Sequence, residues 1–528
     1  MKEETVGKKL ELSQIQFGKT DAFNELSQLG YDYFVDAFVE NERYQKKEFL
    51  NGNRFFIVGK KGTGKTAFLR YLECQLSNPE TIVIPLRFKS EFDELDKEQF
   101  VKAVDTDSLS GSTNENIYET KGIATSKSYV LMWKTFLINQ MVYYASKGEY
   151  VTFMNDSNYQ LMCSLLEVLY GENEDRKVIM PKVRKGTVEI SAAKASGLSA
   201  GVKLEIDFEE KTRKVSYLKI SKKIVSLFSS LIYLQTPIYL LVDELELSVR
   251  NKEMHQKDIA LVRDLILAID DLNRISRQNV YEVHVIASIR SEVITSVSSA
   301  GFEINKCVED FGVTINWFQK GGNYIDNPLL KIIENKIHAS EKLNNIPISE
   351  NVWATYFEET IHGSEVRKHI LSNIWYRPRD VVRLMTLLQT ESYGKTRFDQ
   401  ESFDRAQQEY SNRMWNEFTE ELRLTYSPDD ISAIKTFFTR IPMPFTYRFL
   451  IKRADELSEI YPNVKSFFER VPMADFLKMM FSIGIIGNTG ERMVFSFMGD
   501  QDISLVDSIV IHNPLRNFFA VKRAKHRK

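Results

Sequence analysis

Three cysteines in 528 residues (Cys74, Cys163 and Cys307) are too few and too scattered for a disulfide framework or a zinc cage. A reducing compartment is the expected setting. The seven histidines show no metal-ligand spacing, and no Ser/His/Asp or Cys/His set marks a second catalytic centre. Charge of one sign is lacking too. The 70 Lys and Arg nearly balance the 72 Asp and Glu, which excludes a global field toward nucleic acid or membrane. Any basic surface has to be local, and VKRAKHRK (521–528) is the clearest candidate. Long apolar runs are missing as well. SLFSSLIYLQTPIYLLV (226–242) is broken by serines, Gln235, Thr236 and Pro237, short of the roughly 20 apolar residues that span a bilayer. The opening MKEETVGKKLELS is charged throughout and does not read as a signal peptide. These absences point to a cytoplasmic protein that does not engage membranes.

What is present suits a globular chain of about three domains, at roughly 100–200 residues each. Residues 1–50 read as helical, with apolar side chains in DAFNELSQLGYDYFVDAFVENERY at three- and four-residue steps, and are expected to pack on the core that follows. RFFIV (54–58) is a short apolar strand, a helix runs from about 65 to 76, and TIVIPLRF (81–88) is a second strand. From about 90 to 215 the pattern becomes irregular. This insertion holds the polar DTDSLSGSTNENIYETKG, helices near 128–145 and 158–170, and a hairpin around TVEISAAKASGLSAGVKLEID. IYLLV (238–242), VHVIASI (283–289) and VTINW (313–317) are three further strands, with helices such as DIALVRDLILAIDDLNRIS between them. Strands alternating with helices predict a parallel α/β sheet covered on both faces, over residues 51–325. Residues 326–412 read as a helical lid. Residues 413–528 read as three helices and a β-ribbon (RMVFSF, SIVIHN), a winged-helix-like domain with a basic tail.

The stretch FFIVGKKGTGKTAFLRYL (55–72) carries the chemistry. Gly59-Lys60-Lys61-Gly62-Thr63-Gly64-Lys65-Thr66 fits G-x-x-x-x-G-K-[ST], lies between an apolar strand and a helix, and runs on into Ala67. Glycines let backbone N–H groups turn inward as an anion nest, and the helix directs its positive end at the same point. In that geometry the Lys65 ammonium bridges the β- and γ-phosphates of a nucleotide, and the Thr66 hydroxyl ligates Mg²⁺. PIYLLVDELEL (237–247) supplies the second side. A buried strand ending in Asp243 and Glu244 is a Walker B pattern, with Asp243 for the metal and Glu244 as general base for the attacking water. The strand is expected beside that of the glycine loop. No Asn-Lys pair is followed by the Asp that would read guanine, so ATP is favoured over GTP.

These motifs, with a following strand of polar end, resemble the AAA+/STAND group of P-loop ATPases. FGKTDAFNE (17–25), WYRPRDVVRLM (375–385) and IVIHNPLRNFF (509–519) are similar to a little-characterised bacterial set with an RPRD motif, some linked to phage defence. The resemblance covers most of the chain outside 90–215. It implies an ASCE/AAA+-like sheet, a sensor 1 strand with Ser288 or Arg290 near the γ-phosphate, and a second sensor at Arg379 in preference to Arg377. A salt bridge to Asp380 is the alternative for that arginine pair. Phe17 and Gly18 match a position that touches adenine, or else pack in the core. About 175 residues separate the two Walker motifs, more than a minimal AAA+ core uses, and Arg250 and Arg290 qualify equally as an arginine finger.

The expected function is an ATP-hydrolysing molecular switch that oligomerises or engages a protein effector, with ATP and Mg²⁺ as cofactors and antiviral defence as its setting. The alternative is a DNA-handling ATPase gripping nucleic acid through its carboxy-terminal domain and tail. The candidate recognition helix, VPMADFLKMMFSIG (471–484), carries only Lys478 as a cation, which favours a protein partner.

Overall fold

A computed structural model describes residues 9–41, 44–88, 124–171, 187–206, 208–245, 252–299, 304–423, 425–490, 492–500 and 502–520. The polar stretch 105–122, Arg250 and the tail 521–528 lie outside the described residues. Two compact units emerge: residues 42–61 with 65–315, and residues 1–41 with 62–64 and 316–528.

In the first unit the apolar runs become strands β1 (Phe56–Gly59) and β2 (Ile82–Arg87), a separate antiparallel hairpin of β3 (Thr187–Glu189) and β4 (Lys214–Ser216), then β5 (Ile238–Leu245), β6 (Val283–Arg290) and β7 (Gly312–Thr314). Apart from the hairpin they form one parallel sheet in the order β2-β5-β6-β1-β7. Near-continuous burial of β1, β5 and β6 reflects a sheet flanked by helices, so the strands read as apolar runs and not as alternation. One expectation fails here. β5 does not neighbour β1, because β6 lies between them. All three runs are equally apolar, and strand order in a parallel sheet is set by the crossovers, which leave no local trace.

The crossover from β5 to β6 is the helix Lys252–Gln278. Its buried Leu261, Val262, Leu265, Ile266, Ile269 and Leu272 recur at helical spacing. Within that apolar stripe sits Asn273. Its amide nitrogen donates to the carbonyls of Ile269 and Val285 at 3.0 and 2.9 Å, and its oxygen accepts from the Val285 N–H at 3.0 Å. A fully satisfied buried amide thus ties helix to sheet. The expected hairpin over 187–207 is also corrected. Residues 200–205 are helical, and β3 pairs with 214–216, farther along the chain.

The second unit is helical around 328–343, 378–391 and 400–422. Of the amino-terminal segment 1–50, expected to pack on the α/β core, residues 42–50 group with the α/β unit and residues 1–41 with this one. The helix Ala22–Ala37 packs on Pro328–Leu343, where Lys336 and Glu25 form a buried ion pair at 2.5 Å. A buried acid needs such a partner. The long helix Gln400–Leu422 runs through residue 412, where a boundary between lid and winged helix was expected.

Beyond it lie, among the described residues, five α-helices, Pro428–Phe438, Tyr447–Ser458, Pro462–Arg470, Met473–Ser482 and Asn513–Phe519, and an antiparallel pair Ile486–Thr489 with Ser508–Ile511. The run 492–497, expected as the first ribbon strand, contributes only an isolated bridge from Val494 to Asn488. Ile486 takes the ribbon place because its neighbours bury on both sides, whereas Met493 stays exposed.

Candidate functional site

The glycine loop leaves the carboxyl end of β1 and enters the helix Lys65–Leu76, as expected. Gly62 and Gly64 have φ of 84° and 90°, a region that favours glycine, so the turn demands the residues it has. Lys65 is buried. Its ammonium folds back to donate to the carbonyls of Gly59 at 2.8 Å and Lys60 at 3.0 Å. Lys60, Lys61, Thr66 and Ala67 are half-buried along the same loop and first turn.

Three other residues converge at the carboxyl ends of the strands. In β6, Ser288 lies opposite Ile57 and Arg290 opposite Gly59, so the strand between loop and acid carries both. The Ser288 hydroxyl donates to Asp243, and both side chains are buried. Asp243 is therefore presented at the sheet end with a hydroxyl fixing one oxygen. The strand pairing shifts register between Val242 and Leu245, and Glu244, within the shift, has a φ of 61°. A non-glycine residue in that region costs of order 1–3 kcal/mol, and the kink turns Glu244 out of the strand's alternation. There its carboxylate meets Arg87, the last residue of β2, at 2.6 Å. Sequence reasoning missed Arg87. A cation closing an apolar strand was the available signal.

In the other unit, the arginine pair separates into two roles. Arg377 is buried, grips Asp380 through two nitrogens at 2.8 and 3.0 Å, and reaches Glu417 at 3.3 Å. Burial works against its charge, yet Asp380 and Glu417 more than offset this and hold its pKa above the ordinary value. The salt-bridge alternative thus describes Arg377. Arg379 makes no ion pair among the described residues. Its backbone N–H donates to the Gly62 carbonyl at 3.4 Å and its guanidinium to the Thr20 carbonyl at 3.3 Å. Burial lowers its pKa, opposed by Glu417 and reinforced by Arg377 and Arg383. The Thr63 carbonyl accepts from the buried Trp317 indole at 2.9 Å, a second contact that periodicity did not reveal.

Phe17 and Gly18 are used in the interior of this unit. Phe17 is buried with its ring 5.9 Å from Phe398. Gly18, at a φ of 79°, passes so close to the Glu25–Lys336 pair that a Cβ would collide with it.

The donor set fits a metal-bound polyphosphate. A glycine turn and helix start supply N–H groups, Lys65 is held by neutral carbonyls, and the buried Asp243 supplies a carboxylate. Among the described residues no cluster of three or more His, Cys, Asp or Glu could hold a metal by itself. No described helix is long and apolar enough to cross a membrane.

Residues 327–419 match the family profile of a FunZ-associated C-terminal helical domain. The matched segment spans the helices that carry Arg377, Arg379 and most of the Glu417 network. No curated protein matches the chain.

Proposed function

We propose that the chain is an ATP-binding and ATP-hydrolysing switch of the AAA+/STAND type, dependent on Mg²⁺. The observation that carries this reading is the glycine loop with Lys65 folded into it, on the same sheet end as a buried Asp243. In this reading the loop N–H groups and Lys65 bind the β- and γ-phosphates, and Thr66 and Asp243 hold the metal. Mg²⁺, when bound, neutralises charge on the phosphate oxygens. Glu244 takes the proton of the attacking water, which is worth roughly 10²–10⁴ in rate. Ser288 orients Asp243, and Arg290 and Arg379 act as sensors. The β6 strand lying between loop strand and acid strand supports the sensor 1 role, and the Gly62–Arg379 contact supports the second.

The output is a change of assembly or of protein partner. The helix Met473–Ser482 buries Phe476, Leu477, Met480 and Phe481 and offers Lys478 as its one cation, which does not suit base reading. Calorimetry with ATP and Mg²⁺, followed by mass measurement, tests the proposal. Lys65→Ala is expected to lose binding, and Glu244→Gln to bind ATP, hardly hydrolyse it and change in mass or partner. An empty site at millimolar ATP sinks it.

A further inference from the structure

Trp375 and Tyr376 have no part in the nucleotide reading, although they open the segment that carries Arg377 and Arg379. The Asp380 carboxylate closes this segment on itself. It accepts from the Trp375 N–H at 3.2 Å and from two Arg377 nitrogens at 2.8 and 3.0 Å. Trp375, Arg377 and Asp380 are all buried. Pro378, whose ring fixes its φ, opens the helix Pro378–Glu391. Tyr376 has a φ of 50°, which a non-glycine residue keeps only where its surroundings enforce it. Residues 375–380 are therefore a stiff bracket and not a hinge.

One end of the bracket lies on residues 62–64 of the glycine loop, which group with the carboxy-terminal unit. A Cβ at Gly62 would come within 3.3 Å of the Arg379 Cβ and 3.5 Å of the Arg377 Cδ. One at Gly64 would stand 3.6 Å from the Pro378 ring. Packed this closely, the loop backbone cannot rearrange around a ligand without pressing on the bracket. The loop is held from a second side as well. Trp317 donates to the Thr63 carbonyl, and its neighbour Phe318 meets Tyr376 edge-on at 5.1 Å.

The other end of the bracket lies in the carboxy-terminal ribbon. The Trp375 indole donates to the Gly484 carbonyl at 2.7 Å, and its ring centre is 4.5 Å from that of His512. Phe495 and Phe497 meet the His512 ring at 5.2 and 5.0 Å, and Phe497 also lies near-parallel to Tyr376 at 6.1 Å. There is no slack here. At Gly484, with a φ of 85°, a Cβ would stand 3.0 Å from the Trp375 ring. Gly484 leads into the strand Ile486–Thr489, and His512 follows the strand Ser508–Ile511, so Trp375 touches both arms of the ribbon.

We propose that the bracket couples the glycine loop to the ribbon: the packing of the ribbon sets the loop's affinity for ATP, and ATP in turn shifts the ribbon. The inference rests on the loop binding ATP. Coupling of this kind is reciprocal in free energy, so it can be read from either end. A purely structural role for Trp375 would lower melting temperature and leave ATP affinity alone.

The test is calorimetry of the full chain with ATP and Mg²⁺, joined to amide hydrogen exchange over the ribbon. Trp375→Phe keeps an aromatic ring and loses the donor to Gly484. It is expected to weaken ATP by about fivefold. Phe497→Leu, at a half-buried position, should act in the same direction and serves if Trp375→Phe fails to fold. In the wild type, ATP should slow exchange over 485–489 and 508–512, and this slowing should be lost in Trp375→Phe. Wild-type ATP affinity in both variants overturns the coupling, as does ribbon exchange that ATP leaves unchanged while calorimetry records binding. Either result leaves the nucleotide reading standing. No binding of ATP by the wild type defeats that reading, and the coupling with it.

Discussion

Arg87 and Glu244 meet at 2.6 Å across the ends of two adjacent strands, although 157 positions separate them in the chain. The same carboxylate is the one assigned to activate water. On the proposed reading a guanidinium on that oxygen competes with the water, so the pair would restrain turnover. Arg87→Ala is expected to raise basal ATP hydrolysis by roughly threefold to tenfold, well inside the range of a general-base effect. ATP affinity should change less than about twofold. Steady-state kinetics checks it. A fall in turnover would make Arg87 a positioning residue for Glu244.

The two arginines of the RPRD segment should separate cleanly by experiment. Arg377→Ala leaves Asp380 and Glu417 buried without their main cation, which costs about 3–5 kcal/mol. Arg379→Ala removes no ion pair and loses only the 3.3 Å bond to the Thr20 carbonyl, so it should cost no more than about 1 kcal/mol. Nucleotide hydrolysis should fall in the second variant while its melting temperature holds. Equal melting losses in both would reject the division of roles.

Stability should decline on acidification through two groups of this unit. His512 is buried, its ring centre 4.5 Å from that of Trp375, and burial lowers its pKa from 6.5 to about 3. The unfolded chain therefore binds a proton below pH 6.5 that the folded chain refuses. The neutral histidine's contribution is complete above that pH and is lost as pH falls toward 3. Glu417 acts lower. Burial raises its pKa, but Arg377 and Arg383 prevail and hold it at about 2. Its contribution is present above 4.5 and is lost between there and 2. Denaturation midpoints from pH 7 to 3 should fall, and His512→Phe should flatten the upper part of that slope. Unchanged slope in the variant would rule His512 out.

Asn273→Leu is the fourth test. It keeps the side chain's volume but strands the polar groups of Val285 against an apolar neighbour. The expected loss is about 1–3 kcal/mol, read from urea midpoints. A neutral result would show that strand pairing alone satisfies Val285.

Much of the site could be read from local pattern. The helix begins at Lys65, within the glycine motif, and Asp243 lies near the carboxyl end of a buried strand, because both follow from residues close together in the chain. The apolar face read over 381–388 is buried as helical spacing predicts. What could not be read depends on distant partners. Nothing near Ser288 announces Asp243, and nothing near Glu25 announces Lys336. The hairpin over 187–207 misled because its alternating run is short enough to sit in either a strand or a helical turn.

By itself, then, the amino-acid order determined which apolar runs enter the parallel sheet, where the glycine turn falls and which acids stand near the carboxyl end of a buried strand. Those follow from steric and hydrophobic preferences acting over a few residues. Tertiary structure alone decided that β6 stands between loop and acid, that Arg87 pairs with Glu244, and that residues 1–41 group with the carboxy-terminal unit. Such pairings arise where surfaces far apart in the chain compete for burial, and burial energy carries no memory of sequence distance.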